Sequence, residues 1–304
     1  MAKNLHFSKS SILFLAIHVF LVILSGRFTH ASHFSKSIQG LEGSLKGQRV
    51  SGLNEVKRYL NRFGYLGYET ADKHSIEDDD DEFDEGLESA LKMYQKYYNL
   101  KVTGRLDSDT VKQMNVPRCG EPDALINGGN HVLHPQYAFF KNNAKWPPSK
   151  RHLTYTFNST AKAVRMEILN ATCYYAFKRW EAVTNFRFQE APQGTKSDLV
   201  IGFHRGDHGD GTPFDGPGGV LAHAYSPTIG QLHYDADEKW SLSPKLTINQ
   251  TDIVWVAMHE IGHLLGLNHS QVQNAIMFAY VKNGVTRRGL HPDDIRGIRA
   301  LYAI

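Results

Sequence analysis

The 304-residue chain has only two cysteines, Cys119 and Cys173, so no disulfide framework beyond a single bridge is open to it. Charge of one sign is also scarce. A net charge of +3 without basic patterning argues against nucleic acid as a partner. Long apolar runs are missing as well: the stretch from Ile12 to Leu24 contains His18 and falls short of the about 20 residues that a bilayer span needs. Lys3 and Lys9 precede it, and Ser25, Gly26 and Ala31 follow. This is the pattern of a cleaved signal peptide over residues 1–26, with cleavage as late as residue 31. No second apolar run occurs, and the end, Arg299 to Ile304, lacks the apolar tail of a lipid-anchor signal. A soluble, secreted, extracellular product without a transmembrane helix is expected. Sequons at Asn158, Asn170 and Asn249 fit export as a glycoprotein, whereas the sequon at Asn268 lies among histidines and is expected to stay unmodified.

Against these absences stands one dense segment, His259-Glu260-Ile261-Gly262-His263-Leu264-Leu265-Gly266-Leu267-Asn268-His269-Ser270. On a helix, His259 and His263 share one face and point two imidazoles at one metal. Gly266 can end the helix and reverse the chain, which brings His269 back as a third nitrogen ligand and leaves the fourth tetrahedral position to water. Zinc lowers the pKa of that water, and Glu260 beside it can take the proton as the water attacks a peptide carbonyl. The segment resembles the metzincin clan of zinc endopeptidases, and Ser270 after the third histidine resembles the matrixin (matrix metalloproteinase) branch. The resemblance implies an α+β fold, with a twisted, mostly parallel sheet on long helices, and metalloendopeptidase activity.

Upstream, residues from about 36 to 116 read as a small helical domain. Val56, Tyr59, Leu60 and Phe63 recur at helical spacing until Gly64 and Gly67; a second helix carries Phe83, Leu87, Leu91, Tyr94 and Tyr98. Asp107 or Ser108 can cap a third, through Val111 and Met114. Between the first two helices, Glu77 to Glu82 is a like-charge run expected to be a solvated loop. The domain is similar to the three-helix propeptide of matrixins, itself similar to peptidoglycan-binding modules.

Directly after it comes Pro117-Arg118-Cys119-Gly120-Glu121-Pro122-Asp123. A thiolate is a better zinc ligand than water, so Cys119 in the cleft would take the fourth position on the catalytic zinc and keep the enzyme latent. The segment is similar to the matrixin cysteine switch at every defining position, and the resemblance implies that Arg118 and Asp123 pair to hold the loop. A Cys119–Cys173 disulfide is the competing arrangement, although Cys173 lies in a helical stripe with Leu169, Ala176, Phe177 and Trp180 that reads as core. A linker follows, from Gly128 to Pro135. By resemblance the mature chain starts near Tyr137, giving a propeptide of 27–136 and a catalytic domain of 137–304. No Arg-x-Lys/Arg-Arg site precedes that point, so another protease or the enzyme itself must cut.

In the catalytic part, His152 to Phe157, Phe186 to Glu190 and Leu199 to Phe203 read as strands, with helices over Ala161 to Val183 and Ile253 to Leu265. His208, Asp210, His223 and His233 supply a closed set of donors that suits a structural zinc, and their spacing resembles the matrixin structural site. Asp215-Gly216-Pro217-Gly218-Gly219-Val220 turns tightly, and Asp235 and Glu238 add carboxylates, the all-oxygen surroundings a calcium ion requires. By resemblance its ligands are Asp215, Asp235, Glu238 and the carbonyls of Gly216, Gly218 and Val220.

Two positions depart from the family pattern. Gln231 stands where matrixins with a further calcium keep an aspartate, so a second calcium site loses a carboxylate although Asp198, its other partner, remains. Met277 matches the methionine that floors the zinc site in metzincins, but Phe278 and Ala279 replace the usual tyrosine and proline of the pocket wall. The expected substrate is extracellular polypeptide, laid extended against Gly219 to Ala222 as an added strand. With no C-terminal propeller, the layout is most like the plant matrixins, a monomer in the apoplast or cell wall. Two other readings remain: a catalytically dead zinc-holding module, against which Glu260 and the complete switch speak, and a zinc hydrolase of something other than protein.

Overall fold

A computed structural model describes residues 38–67, 79–123, 137–192 and 194–304. The signal peptide, the first two residues of the acidic run and the linker from Gly128 to Pro135 lie outside the described residues.

The N-terminal part holds helices α1 (Leu53–Arg62), α2 (Glu85–Tyr97) and α3 (Ser108–Met114). Their starts follow local chemistry: Asp84 accepts from the Leu87 N–H at 2.7 Å and Asp107 from the Thr110 N–H at 2.9 Å. Val56, Leu60, Leu87, Leu91 and Val111 pack inward, each burial being worth about 1.5–3 kcal/mol. The described part of the acidic run is a loop, with Asp79 and Glu82 exposed as expected, but Asp80 and Asp81 turn inward. Lys57 is buried in α1 and its ammonium reaches Asp80 at 2.6 Å and Asp84 at 2.7 Å, while Asp81 accepts from the N–H groups of Gly52 and Asn54 at the start of α1. A buried cation and a helix N-terminus both require anions, and the run supplies them.

The C-terminal part is built on a six-stranded sheet. Its strands are β3 (His152–Phe157), β4 (Arg187–Glu190), β5 (Leu199–His204), β6 (Val220–Ala224) and β7 (Gln231–Asp235), joined by β1 (Arg118–Cys119) from the preceding segment. The order is β1-β6-β7-β5-β3-β4, and every pairing is parallel except β6 with β7. Helix α4 (Met166–Glu181) and helix α5 (Ile253–Leu264) pack together against it, and α6 (Pro292–Tyr302) closes the chain. Helix α4 begins later than its apolar pattern suggests; ahead of it, the N–H groups of Thr160 and Ala161 bond to the Phe203 carbonyl near the end of β5. Every residue of α5 is buried. A helix that is apolar all round belongs inside a core, so its two histidines and one glutamate are buried with it.

Gly266, at φ +103°, turns the chain after α5. A Cβ there would run into the Ala144 carbonyl oxygen. The reversal sets β8 (Leu267–Asn268) antiparallel to β2 (Ala138–Phe139). Replacing Gly266 with Ala should lower stability by about 1–3 kcal/mol, read as a fall in unfolding midpoint; an unchanged midpoint would show that the turn tolerates a side chain. Among the described residues no helix is long and apolar enough to cross a membrane.

Candidate metal centres and the covered cleft

Helix α5 and the Gly266 turn bring His259, His263 and His269 together. Nε2 of His263 lies 3.0 Å from Nε2 of His259 and 3.2 Å from Nε2 of His269. Each ring has already committed its other nitrogen: His259 Nδ1 donates to the Ile276 carbonyl at 2.7 Å, His263 Nδ1 to the Leu267 carbonyl at 2.8 Å, and His269 Nδ1 to Asp123 Oδ1 at 2.8 Å. Those oxygens only accept, so each neutral ring keeps its proton on Nδ1 and turns a bare Nε2 lone pair toward the other two. Burial holds the rings neutral. It drives His259 down to about 3, helped by neighbouring His269, and it lowers His263 and His269 as well. Three converging lone pairs repel one another, and a cation among them removes the repulsion. Buried imidazole nitrogens with fixed outer partners are the donor set that fits zinc.

Cys119 joins this group, with Sγ 3.5 Å from His263 Nε2 and all four donor atoms within 4.8 Å of one another. Both cysteines are free and buried, and Cys173 lies in α4 against the core. No disulfide links them. Glu260 is buried beside the cluster with both carboxylate oxygens unpartnered. Burial pushes its pKa well above the usual carboxylate range, an effect the neighbouring Cys119 thiol partly offsets. Beneath the histidines, a Cβ on Gly262 would collide with Met277 Sδ, so Met277 packs directly under α5.

The segment around Cys119 occupies the edge of β6, where an extended substrate was expected. Arg118 N–H donates to the Gly219 carbonyl and Gly120 N–H to the Ala222 carbonyl, both at 2.8 Å. On its other side Cys119 N–H donates to the Ala279 carbonyl and Val281 N–H to the Pro117 carbonyl, both at 2.9 Å. An extended chain is thus clamped between β6 and residues 279–281.

Arg118 pairs with Asp123 at 2.9 Å, both side chains being buried. The pair has company that sequence reasoning missed. The guanidinium lies 3.5 Å from the centroid of the Phe63 ring, and Asp123 Oδ2 accepts from the Tyr65 hydroxyl at 2.5 Å and the Tyr98 hydroxyl at 2.6 Å. Tyr280 bonds through its hydroxyl to those of Tyr59 and Tyr94. The ring of Phe278 meets Tyr98 edge-on at 5.8 Å. Phe278, Ala279 and Tyr280 share one apolar cluster with the core of the three-helix part. Tyr59, Phe63, Tyr94 and Tyr98 read as ordinary helix core in the sequence and Phe278 as a changed pocket wall, while Tyr65 and Tyr280 carried no signal of their own.

A second donor set forms where β6 and β7 run side by side. One oxygen of Asp210 lies 2.8 Å from Nε2 of His208 and of His223, and 2.9 Å from Nδ1 of His233. His208 Nδ1 donates to the Gly206 carbonyl, which frees Nε2 for a metal. Burial opposes ionisation of Asp210, but the Thr212 N–H and hydroxyl and the imidazoles hold its carboxyl far below the usual range. His204, which the sequence did not single out, stacks on His208 at 5.0 Å and bonds to Thr160 through Nδ1.

Asp215, Asp235 and Glu238 gather at the following loop, each accepting from a loop N–H: Val220 at 3.0 Å, Gly216 at 3.2 Å and Gly218 at 2.5 Å respectively. Burial pushes Asp215 and Asp235 up to about 7 and Glu238 up to about 8. Among the described residues only the two histidine sets bring three or more donors within 4.8 Å, and these carboxylates do not form a third. Asp198 is engaged elsewhere: it accepts from the Thr154 N–H and hydroxyl and pairs with Lys150 at 2.8 Å, so a lysine already balances its charge. Of the sequons, Asn158 and Asn249 are exposed, Asn170 is half-buried with a bond to Glu190, and Asn268 is buried.

The sheet, the buried histidine helix with its glutamate and the methionine turn beneath it define a metal-dependent hydrolase. A family model for Matrixin matches residues 145–303, and a peptidoglycan binding domain model matches residues 49–114. The chain belongs to the matrixin family. It is 43% identical over 280 residues to Metalloendoproteinase 5-MMP of Arabidopsis thaliana, covering 86% of this chain and 74% of that protein. Metalloendoproteinase 1 of Glycine max is 42% identical over 265 residues, covering 85% and 84%. Matrilysin of Homo sapiens is 35% identical over 274 residues, covering 86% and 92%. The fold is α+β, the chain is a metalloendopeptidase that hydrolyses peptide bonds, and membership implies zinc.

Proposed function

We propose that this chain is a secreted zinc endopeptidase, made as a latent zymogen that cleaves extracellular proteins once its propeptide leaves. The observation that carries this reading is the convergence of Cys119 on three bare imidazole nitrogens while its own strand fills the edge of β6. His259, His263 and His269 hold the catalytic zinc, with Cys119 as fourth ligand in the latent form. Zinc bound there supplies a Lewis acid that polarises the scissile carbonyl and makes the attacking water acidic. Glu260 accepts the proton of that water. Its place suits this, since Glu260 follows His259 on α5 and lies beside the three histidines. Residues 219–222 orient the substrate backbone as an added strand, where β1 lies in the uncut chain.

The domain boundaries follow: a signal peptide over 1–26, a propeptide over 27–136 and the catalytic domain over 137–304, ending in a monomer in the apoplast or cell wall. His208, Asp210, His223 and His233 hold the structural zinc. Asp215, Asp235, Glu238 and the carbonyls of Gly216, Gly218 and Val220 take one calcium, which would keep three buried carboxylates ionised together. Exposed Asn158 and Asn249 carry glycans and Asn170 is a third acceptor, to be read by peptide mapping after glycosidase treatment; glycan on buried Asn268 would contradict the assignment.

The main test compares new N-termini in an extracellular protein extract treated with mature enzyme and with the Glu260→Ala form. Cleavages confined to the wild type support an endopeptidase; none in either would favour the zinc-holding module. The two metal sets should also separate. The Asp210 set is a closed shell, so its zinc contributes to folding, whereas the other serves turnover. His223→Ala should therefore lower the unfolding midpoint far more than His269→Ala, and equal losses would reject the division.

A further inference from the structure

Two of the three histidines around the proposed catalytic zinc are backed by the catalytic domain itself. His259 Nδ1 donates to Ile276 and His263 Nδ1 to Leu267. His269 is different: its Nδ1 partner is Asp123, a carboxylate on the switch segment, upstream of the proposed cut near Tyr137. Asp123 is itself held on every side, Oδ1 by Arg118 and His269, Oδ2 by the hydroxyls of Tyr65 and Tyr98 and by a second guanidinium nitrogen at 3.3 Å. All of these groups but His269 come from the part of the chain before the cut.

We propose that Asp123 is a positioning residue for the catalytic zinc in the uncut chain only: through His269 it orients and strengthens one metal ligand, and its departure with the propeptide loosens the metal. The inference rests on the zymogen reading above. A carboxylate behind a ligating imidazole fixes its tautomer and makes its free nitrogen a better donor, and loss of such a partner typically costs about 10–100-fold in metal affinity. The propeptide thus acts on the metal through two routes, directly through Cys119 and from behind through Asp123. The latent chain would keep its zinc where the mature enzyme more readily exchanges it.

The test is zinc retention against a competing chelator, measured on intact chains that carry Glu260→Ala so that they do not process themselves. In a Cys119→Ser background the thiolate route is gone, and Asp123→Asn should still lower affinity for one zinc equivalent about 10–100-fold. Mature protein cut by an added protease should match that lowered value. Because Asp123→Asn leaves Arg118 buried without a counter-ion, the paired change Arg118→Gln with Asp123→Asn provides a neutral, hydrogen-bonding substitute that should fold and show the same loss. With Cys119 retained and cobalt in place of zinc, the thiolate-to-cobalt charge-transfer band should persist in Asp123→Asn while cobalt leaves faster, which a merely dislodged switch would not give. Retention equal to the Cys119→Ser parent in both Asp123 variants would overturn the inference alone, provided His263→Ala loses one zinc equivalent. If His263→Ala keeps both equivalents, the zinc assignment fails and the inference with it.

Discussion

Glu260→Ala should reduce peptide hydrolysis by about 10²–10⁴-fold, the usual contribution of a positioned general base, with zinc content near that of the wild type. The side chain ligates nothing in the proposed site, and its two oxygens are buried without partners. Its removal therefore takes away a proton acceptor and an unfavourable buried carboxylate at once. The full-length variant is expected to be at least as stable as its parent, and its mature form inactive. Kinetics on a quenched peptide beside metal analysis and thermal unfolding would read all three quantities. Substantial turnover in the variant would mean that another group accepts the proton.

The second large effect concerns latency. Cys119→Ser exchanges a thiolate for a neutral hydroxyl, a poor zinc ligand, so the full-length variant should cleave peptides before its propeptide is cut and process itself sooner. The other tethers of the segment limit that gain. Backbone bonds still fasten it to Gly219, Ala222, Ala279 and Val281, and the buried Arg118–Asp123 pair remains under Phe63. Activity of the uncut variant should thus exceed that of the wild-type zymogen and stay below that of the mature enzyme. Thiol-reactive mercurials should activate the wild type and add little to the variant. A disulfide lock predicts otherwise: Cys173→Ser would mimic Cys119→Ser, and a reductant would release the enzyme. Thiol labelling of the denatured, unreduced zymogen in the presence of a chelator separates the two, since the switch requires two free thiols and a Cys119 to Cys173 crosslink would refute it.

The three-helix segment was legible because each helix has an apolar stripe at the right period and the second and third have an aspartate at their start, Asp84 and Asp107, and both are local properties. The inward turn of Asp80 and Asp81 in the acidic run was missed for the opposite reason. The run's like charges argue for solvent until a buried lysine, Lys57, and the start of α1 come within reach, and neither is a sequence neighbour. The late start of α4 was not legible either: the residues ahead of it, Thr160 and Ala161, are tied by their N–H groups to Phe203 near the end of β5, a contact between segments some forty residues apart.

The histidine set was legible for a stricter reason. Two ligands four apart on a helix and a third after a glycine turn are placed by backbone geometry alone, so spacing and residue type determine which nitrogens can meet. The same holds for the presence of a cysteine segment able to compete for that site. Which nitrogen of each ring is free was decided only by tertiary contacts, because Ile276, Leu267 and Asp123 select the tautomers. So was the cage of Phe63, Tyr65, Tyr98 and Tyr280 around Arg118 and Asp123, which joins the ends of α1 and α2, the segment around Cys119 and the turn after Met277. The sequence by itself determined the family and which histidines could meet. The fold decided what stands behind each ligand and what covers the cleft, since those relations depend on segments far apart in the chain meeting in one core.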